Sequence, residues 1–269
     1  MPVLCTRSWS PFPPQTREVQ CDEKGAFVGK KEQPCDPEAL ADAEQGDNWD
    51  HMALEPEHRL VVSVVPGQRT ADNGEKRVHD CKTRSGSRPM NLMTSDEYPA
   101  YKTALLNAYG QEVVPPRTGK PGRPKAPYKV APPELQDATV HKTRDKGRVV
   151  KVDFRVVFGT VVGVMAALAQ SLGSKAINPA FIERQNGTDR KRNARKVRKR
   201  SCFSKNWEVH EAVTSFPLYS DNFCWSVRTL RVRDADRRWR QRTPAMAAGL
   251  ADHIWTLAEW LTFPGVQRK

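Results

Sequence analysis

The sequence predicts a mixed α/β domain, and two observations carry that class. Residues 19–65 hold three strand-like apolar runs separated by short turns, as in an antiparallel meander. Farther along, runs at 91–94 and 149–158 are each followed by a helix-like stretch, so strand and helix signals alternate. The class expected is a mixed sheet with flanking helices, followed by a basic, helical C-terminal region.

Residues 1–18 carry Pro2, Pro11, Pro13 and Pro14 beside Trp9 and Phe12, a mixture without strand or helix period, and form a poorly ordered leader. The first strand runs over 19–28 around Cys21, Asp22 and Phe27 and stops at Gly29-Lys30-Lys31. An acidic loop through Asp36, Glu38, Asp42 and Glu44 leads to strands at 49–54 and 60–65, joined by the turn Glu55-Pro56-Glu57-His58 and closed by Pro66-Gly67. A helix over 70–84 is weakly specified, because it contains Gly74 and its apolar positions are only Ala71, Val78 and Cys81. The short strand 91–94 ends in Ser95-Asp96-Glu97-Tyr98-Pro99, where Ser95 or Asp96 can cap the helix that buries Ala100, Ala104, Leu105 and Ala108.

Between 113 and 133 seven prolines alternate with Arg117, Lys120, Arg123, Lys125 and Lys129. This basic segment is expected to be extended and solvent-facing. Its centre, Lys120-Pro121-Gly122-Arg123-Pro124-Lys125, has the Gly-Arg-Pro core that lets an arginine enter a minor groove, although a plain basic linker fits equally well. Strand 149–158 alternates through Val150, Val152, Phe154, Val156 and Phe158, and a helix over 161–172 precedes a second helix bearing Glu183. Residues 201–269 intersperse Phe203, Trp207, Phe216, Tyr219, Phe223, Trp225, Trp239, Trp255 and Trp260 among charges, mostly as packing residues. A last helix opens near Thr243-Pro244 and is expected to bury Ile254, Leu257 and Leu261.

Composition narrows the function. Forty-four Lys and Arg against 31 Asp and Glu give a formal charge of +13, a footprint for polyanion binding with nucleic acid as the leading partner. Six cysteines at 5, 21, 35, 81, 202 and 224 lack paired spacing, which argues against zinc and disulfides and for reduced thiols. The longest apolar stretch, 156–172, is too short and too polar for a membrane span, and no signal peptide is apparent. A cytoplasmic protein is expected.

Glu183, Asn186 and Arg190 are three and seven residues apart and share a helical face at 3.6 residues per turn. A dense basic run to Arg200 follows. Asp22 on the first strand, Asp96 at the end of a later strand and Glu183 on a helix follow the order in which an RNase H-like fold gathers three carboxylates. Oxygen ligands of that kind suit Mg²⁺ or Mn²⁺, and two such ions can clamp the attacking and leaving oxygens of a phosphoryl transfer. With 31 acidic residues, ordinary surface carboxylates are the alternative explanation.

The phrases Cys21-Asp22-Glu23-Lys24 to Lys31, Thr94-Ser95-Asp96-Glu97-Tyr98-Pro99-Ala100-Tyr101, and Ile182-Glu183-Arg184-Gln185-Asn186 through Cys202-Phe203-Ser204-Lys205 resemble the insertion-sequence-one group of bacterial DDE transposases. The resemblance runs from about residue 19 to the C-terminus. It implies an RNase H-like catalytic domain over 19–200 in which Asp22, Asp96 and Glu183 are the catalytic carboxylates and bind two divalent ions. It also implies cleavage by an activated water, then attack of the freed 3′-hydroxyl on target DNA, by a nucleoid-associated assembly of two or more copies. Arg190 matches the basic residue the family places seven positions after the glutamate to contact DNA. Arg184, Asn186, Lys191, Arg192, Arg195, Lys196, Arg198, Lys199, Arg200 and Arg123 complete the expected double-stranded DNA contacts, most of them to phosphates. The interval from Asp96 to Glu183 exceeds the family's spacing, as if the basic segment were an insertion, and the family's usual zinc-binding and helix-turn-helix segments do not precede Asp22. Two other functions share these features: a DNA-binding remnant or truncated transposition inhibitor without catalysis, and a nuclease that hydrolyses without joining.

Overall fold

A computed structural model describes residues 17–263 apart from 37, 43, 96, 117–124 and 198–201. Its centre is a six-stranded mixed sheet in the order β3-β2-β1-β4-β7-β8. Strands β1 (Glu18–Val28), β2 (Gly46–Glu55) and β3 (Leu60–Gly67) form the antiparallel meander. Helix α1 (Ala71–Arg84) then crosses to β4 (Leu92–Ser95), which lies parallel to β1. After α2 (Ala100–Tyr109) come β5 (Gln111–Val113) and β6 (Tyr128–Val130), a separate two-stranded ribbon. The sheet is completed by β7 (Asp137–Asp145), parallel to β4, and by β8 (Arg148–Phe158), antiparallel to β7. Helices α3 (Val161–Gln170), α4 (Ala180–Arg192) and α5 (Trp207–Cys224) follow, then a ribbon of β9 (Val232–Arg233) and β10 (Trp239–Arg240), and short helices α6 (Pro244–Ala247) and α7 (Leu257–Thr262).

Over β1 to β4 the sheet is covered on both faces. Because side chains alternate along a strand, Val19 and Cys21 of β1 point to one face and Gln20, Asp22 and Lys24 to the other. The first face meets α1 and α2 in a core that includes Val62, Val78, Met93, Tyr101 and Leu105. On the second, Met52, Leu54, Val61 and Val64 meet Ile182 of α4, Leu218 and Phe223 of α5, and Trp260 of α7. Helix α3 joins that layer by laying Val164 and Leu168 on Leu92 and Ala138.

Helix α1 forms despite its few apolar residues. Thr70 caps it by accepting from Asn73 N–H. Arg77 supplies the missing bulk: it is buried, stacks 4.1 Å from the centre of the Tyr101 ring and donates to Cys21 Sγ.

The two edges of the sheet are treated differently. Asn222 of α5 accepts from Val61 N–H and donates to Val61 C=O, both at 2.9 Å, and the Tyr219 hydroxyl accepts from Val64 N–H at 3.2 Å. The outer backbone groups of edge strand β3 are thus bonded to a helix, which prevents pairing with another chain. Pro217 inside α5 leaves the C=O four residues earlier without its helical donor; that carbonyl, of Val213, accepts instead from the Asn193 amide at 2.6 Å, just past the end of α4. At the opposite edge, β8 has the alternation expected of it, yet Val150 and Val152 are 61% and 58% exposed, because periodicity identifies a strand without saying whether both faces are covered.

Strand β7 has no counterpart among the expected elements. Its turn into β8 is Lys146-Gly147, both at positive φ (45° and 79°), the two-residue hairpin geometry that glycine favours. The interval between Asp96 and Glu183 therefore holds β7, β8 and α3 as well as α2 and the β5–β6 ribbon. The basic Pro-rich segment is extended at its described ends, where β5 pairs with β6. At the C-terminus the expected burial is overturned: the helix that opens at Pro244 ends at Ala247, Ile254 lies between helices, and of the six-residue α7 Trp260 is buried while Leu257 and Leu261, like Ile254, are exposed.

Asp137, at the start of β7, is buried, and among the described residues its Oδ1 has no hydrogen-bond partner. Burial pushes its carboxyl up to about 7, against the pull of Arg77. An unfolded aspartate titrates near about 3.9, so between these values the native protein holds a proton that the unfolded chain has lost. Stability therefore falls as pH rises through that window, and the cost is complete above it. Asp137→Asn is expected to stabilise the protein by up to about 4 kcal/mol at about pH 8 and by much less near about pH 3.5. Urea unfolding of both proteins at the two pH values measures this.

Candidate functional site

The second face of β1 presents Gln20, Asp22 and Lys24 two residues apart, and α4 lies along them. Each of the three is tied to that helix or its entry. Gln20 accepts from Ile182 N–H at 3.1 Å and donates to Asn178 C=O at 2.8 Å. Asp22 Oδ2 accepts from the Asn186 amide at 2.8 Å. Lys24 is ion-paired with Asp189. Ile182, Asn186 and Asp189 have the i, i+4, i+7 spacing of one helical stripe, so a period-two row on the strand meets a period-3.6 row on the helix. Glu183 lies beside that stripe, half-exposed.

This packing brings Asp22 and Glu183 into one cleft of about 260 Å³, lined also by Cys21, Ser95, Glu97, Val140, Lys142 and Pro179. Ser95 and Glu97 are the neighbours of position 96; Asp96 itself lies outside the described residues. Of the three expected carboxylates, the structure therefore brings two together. Asp22 Oδ1 also accepts from Glu23 N–H at 2.9 Å, which with Asn186 fixes the carboxylate plane. Glu97 is turned toward His141 and Arg155, its ion-pair partners. Lys142 of β7 donates to Glu183 Oε1 at 2.6 Å. Lys142 was not among the expected site residues, since β7 was not recognised in the sequence. Cys21 is no nucleophile, because burial pushes its thiol up to about 11.

The donor set fits a hard divalent cation. Asp22 and Glu183 offer carboxylate oxygens and Ser95 a hydroxyl, the ligand type that Mg²⁺ prefers, and the Lys142 ammonium on Glu183 marks a place where positive charge is accommodated. A different trio, Glu55, Glu57 and His58, is the set of His, Cys, Asp and Glu ligand atoms found within 4.8 Å of one another among the described residues. There the buried Glu55 carboxylate accepts from the N–H groups of Glu57 and His58 and pairs with the His58 ring, so it locks the β2–β3 turn.

Beneath the cleft lies a buried ionic cluster. Asp50 of β2 pairs with Lys24 at 3.1 Å and Lys196 at 2.8 Å, with the His210 ring at 3.6 Å and the Thr214 hydroxyl at 3.3 Å. Burial alone would raise the Asp50 carboxyl, but Lys196, Lys24 and His210 outweigh it and hold it well below the ordinary range. Burial likewise lowers His210.

Two expected DNA contacts are corrected here. Lys196 is only 4% exposed and belongs to this cluster, because the chain turns inward after Asn193 and the Lys24 and Asp189 pair leaves Asp50 to be neutralised. Asn186 is buried on Asp22. Arg184, Lys191, Arg192 and Arg195 are exposed and Arg190 is half-buried; Arg192 pairs with Asp221 at 2.7 Å and stacks on Trp225. Arg123, Arg198, Lys199 and Arg200 lie outside the described residues. No helix among the described residues is long and apolar enough to cross a membrane. No known protein family, characterised protein or solved structure matches the chain.

Removing Lys24 would leave Asp189 and half of Asp50 buried without compensation, which in such clusters costs about 3–5 kcal/mol. Lys24→Met is expected to lower stability by that amount, and the Lys24→Met, Asp189→Leu double variant to recover part of it. Urea denaturation of the three proteins gives the values.

Proposed function

We propose that the protein is a metal-dependent DNA strand-transfer enzyme of the DDE transposase kind, built on an RNase H-like sheet. The observation that carries this reading is the convergence of Asp22 from the central strand and Glu183 from α4 on one cleft, with Asp22 held in place by Asn186 and the Glu23 N–H. Strand order and direction agree with it: an antiparallel β1–β3 meander, then β4 and β7 parallel to β1 on its other side. The exposed Arg184, Lys191 and Arg195 on and just beyond the helix that bears Glu183 supply a basic surface for duplex DNA.

In this reading Asp22 and Glu183, with Asp96 as the expected third ligand, hold Mg²⁺ or Mn²⁺. The bound metal supplies Lewis-acid activation of the attacking oxygen and neutralises charge on the phosphate. The protein's own groups do the rest. Asn186 and the Glu23 N–H hold Asp22 in one orientation, as ligand-orienting partners do in metal sites. Lys142 neutralises Glu183 before metal arrives and, once released, can donate to a phosphate oxygen. The Lys142 contact also favours a second reading, DNA binding without catalysis, in which the ammonium keeps Glu183 occupied.

Strand transfer with labelled duplexes from the flanks of the gene, in Mg²⁺ or Mn²⁺, tests these readings. Wild type is expected to yield joined product, Asp22→Asn and Glu183→Gln none, and Asn186→Ala about 10–100-fold less. Hydrolysed but never joined DNA would indicate a nuclease, and a wild type that binds without cutting would establish the second reading. For Lys142→Met, removal of a half-exposed pair worth about 1 kcal/mol predicts Mn²⁺ binding several-fold tighter by calorimetry; unchanged affinity would mean that Lys142 and metal do not compete.

A further inference from the structure

The segment 231–242 contains Arg231, Arg233, Arg237, Arg238, Arg240 and Arg242 against Asp234 and Asp236, six positive charges to two negative. It folds as the β9–β10 ribbon, with Trp239 opposite Arg233 and Arg240 opposite Val232. Asp234 builds the tip: its carboxylate accepts from Arg238 N–H at 2.8 Å and its N–H donates to Arg238 C=O at 3.0 Å. Arg237 takes the left-handed conformation that closes the turn (φ 61°). Trp239 is 51% exposed, with the Arg231 and Arg233 guanidinium groups 4.0 and 5.0 Å from its ring centre.

Among the described residues none of these six arginines is ion-paired with a carboxylate; Arg240 and Arg242 donate to the backbone carbonyls of Asp252 and Leu230. A solubilising surface tolerates lysine as well as arginine, whereas all six cations here are arginines. The arginine fork matches phosphate and the acceptor edge of guanine, and a two-stranded ribbon fits a major groove.

The base of the ribbon is fastened to the residues that follow α5, and these reach the end of α4. Val227 N–H donates to Arg242 C=O at 3.0 Å and Ser226 to the Gln241 side chain at 2.7 Å. Next to them the exposed Trp225 lies 4.6 Å under Arg192, the last residue of α4. Arg192 stands nine positions after Glu183, about 14 Å along the helix at 1.5 Å per residue, so α4 links the base of the ribbon to the cleft.

Resting on the DNA-processing reading above, we propose that the arginine ribbon 231–242 is a second duplex-DNA contact, seated in the major groove and continuing the basic surface of α4. Trp239 holds Arg231 and Arg233 splayed for that contact.

The test is the salt dependence of binding by the full chain to a labelled 30-base-pair duplex, with the matching single strand as a second probe. Each lost phosphate contact lowers the slope of log K against log salt by about 0.9. Arg233→Ala, Arg237→Ala and Arg238→Ala together are expected to lower it by up to about 2.7. The same three positions changed to Lys should restore most of the slope, which excludes misfolding as the cause. Arg184→Ala, Lys191→Ala and Arg195→Ala serve as the comparison on and just after α4. A slope that falls for the α4 set and stays unchanged for the ribbon set would overturn the proposal while leaving the DNA reading intact. A wild type with no salt-dependent duplex binding would sink both. Loss confined to the single strand would overturn the duplex assignment.

Discussion

The seam between β1 and α4 is the interaction on which the candidate site depends. A strand advances about 6.6 Å for every two residues, and four residues of helix rise about 6 Å, so Gln20, Asp22 and Lys24 can each find a partner on one stripe of α4. The three contacts differ in kind. Gln20 is bonded to the backbone at the start of the helix, Asn186 to the Asp22 carboxylate, and Lys24 to Asp189 in a region closed to water. The contact of α4 with Asp22 is made by a neutral amide, whereas that with Lys24 is an ion pair. The geometry that unites Asp22 with Glu183 is thus fixed by residues that do not compete for the same ligand.

That seam needs a supported helix, and α5 supplies the support. Asn193, just past the end of α4, bonds the carbonyl that Pro217 frees in α5, while Tyr219 and Asn222 of α5 bond the backbone of β3. A proline that would weaken an isolated helix here provides the acceptor that joins two helices. The same contacts close one sheet edge, so α5 ties the helical layer to the strands and blocks edge pairing at once.

Much of the frame was legible because it follows local rules. The meander and the strand before position 96 show as apolar runs bounded by turn residues, and Asp22 and Glu183 stand on a first strand and a later helix, the order expected of an RNase H-like site. Other parts were hidden for physical reasons. Strand β7 has only Ala138 and Val140 as buried apolar residues, since its outer half runs with β8 beyond the covered face; the Lys146-Gly147 turn was the signal that could have revealed it. Without β7 there was no reason to look at Lys142. The short α7 gives no helical period, so the burial of Trp260 rather than its aliphatic neighbours could not be inferred.

Charge was the least legible property, because a basic residue counts the same in a sequence whether it meets water or a buried carboxylate. In the run after Glu183, Lys196 turns inward to Asp50, while Arg192 is occupied by Asp221 and Trp225. Arg77, likewise, is core volume on Cys21 and Tyr101. These cations contribute little to the field outside the protein. The excess that does reach solvent is concentrated where carboxylates are scarce or committed to turns, as Asp234 is to the tip of the ribbon. A polyanion approaching this molecule therefore experiences the exposed guanidinium groups of α4 and 231–242 more than the formal total of +13, and the distribution of carboxylate partners decides which basic residues are free to bind it.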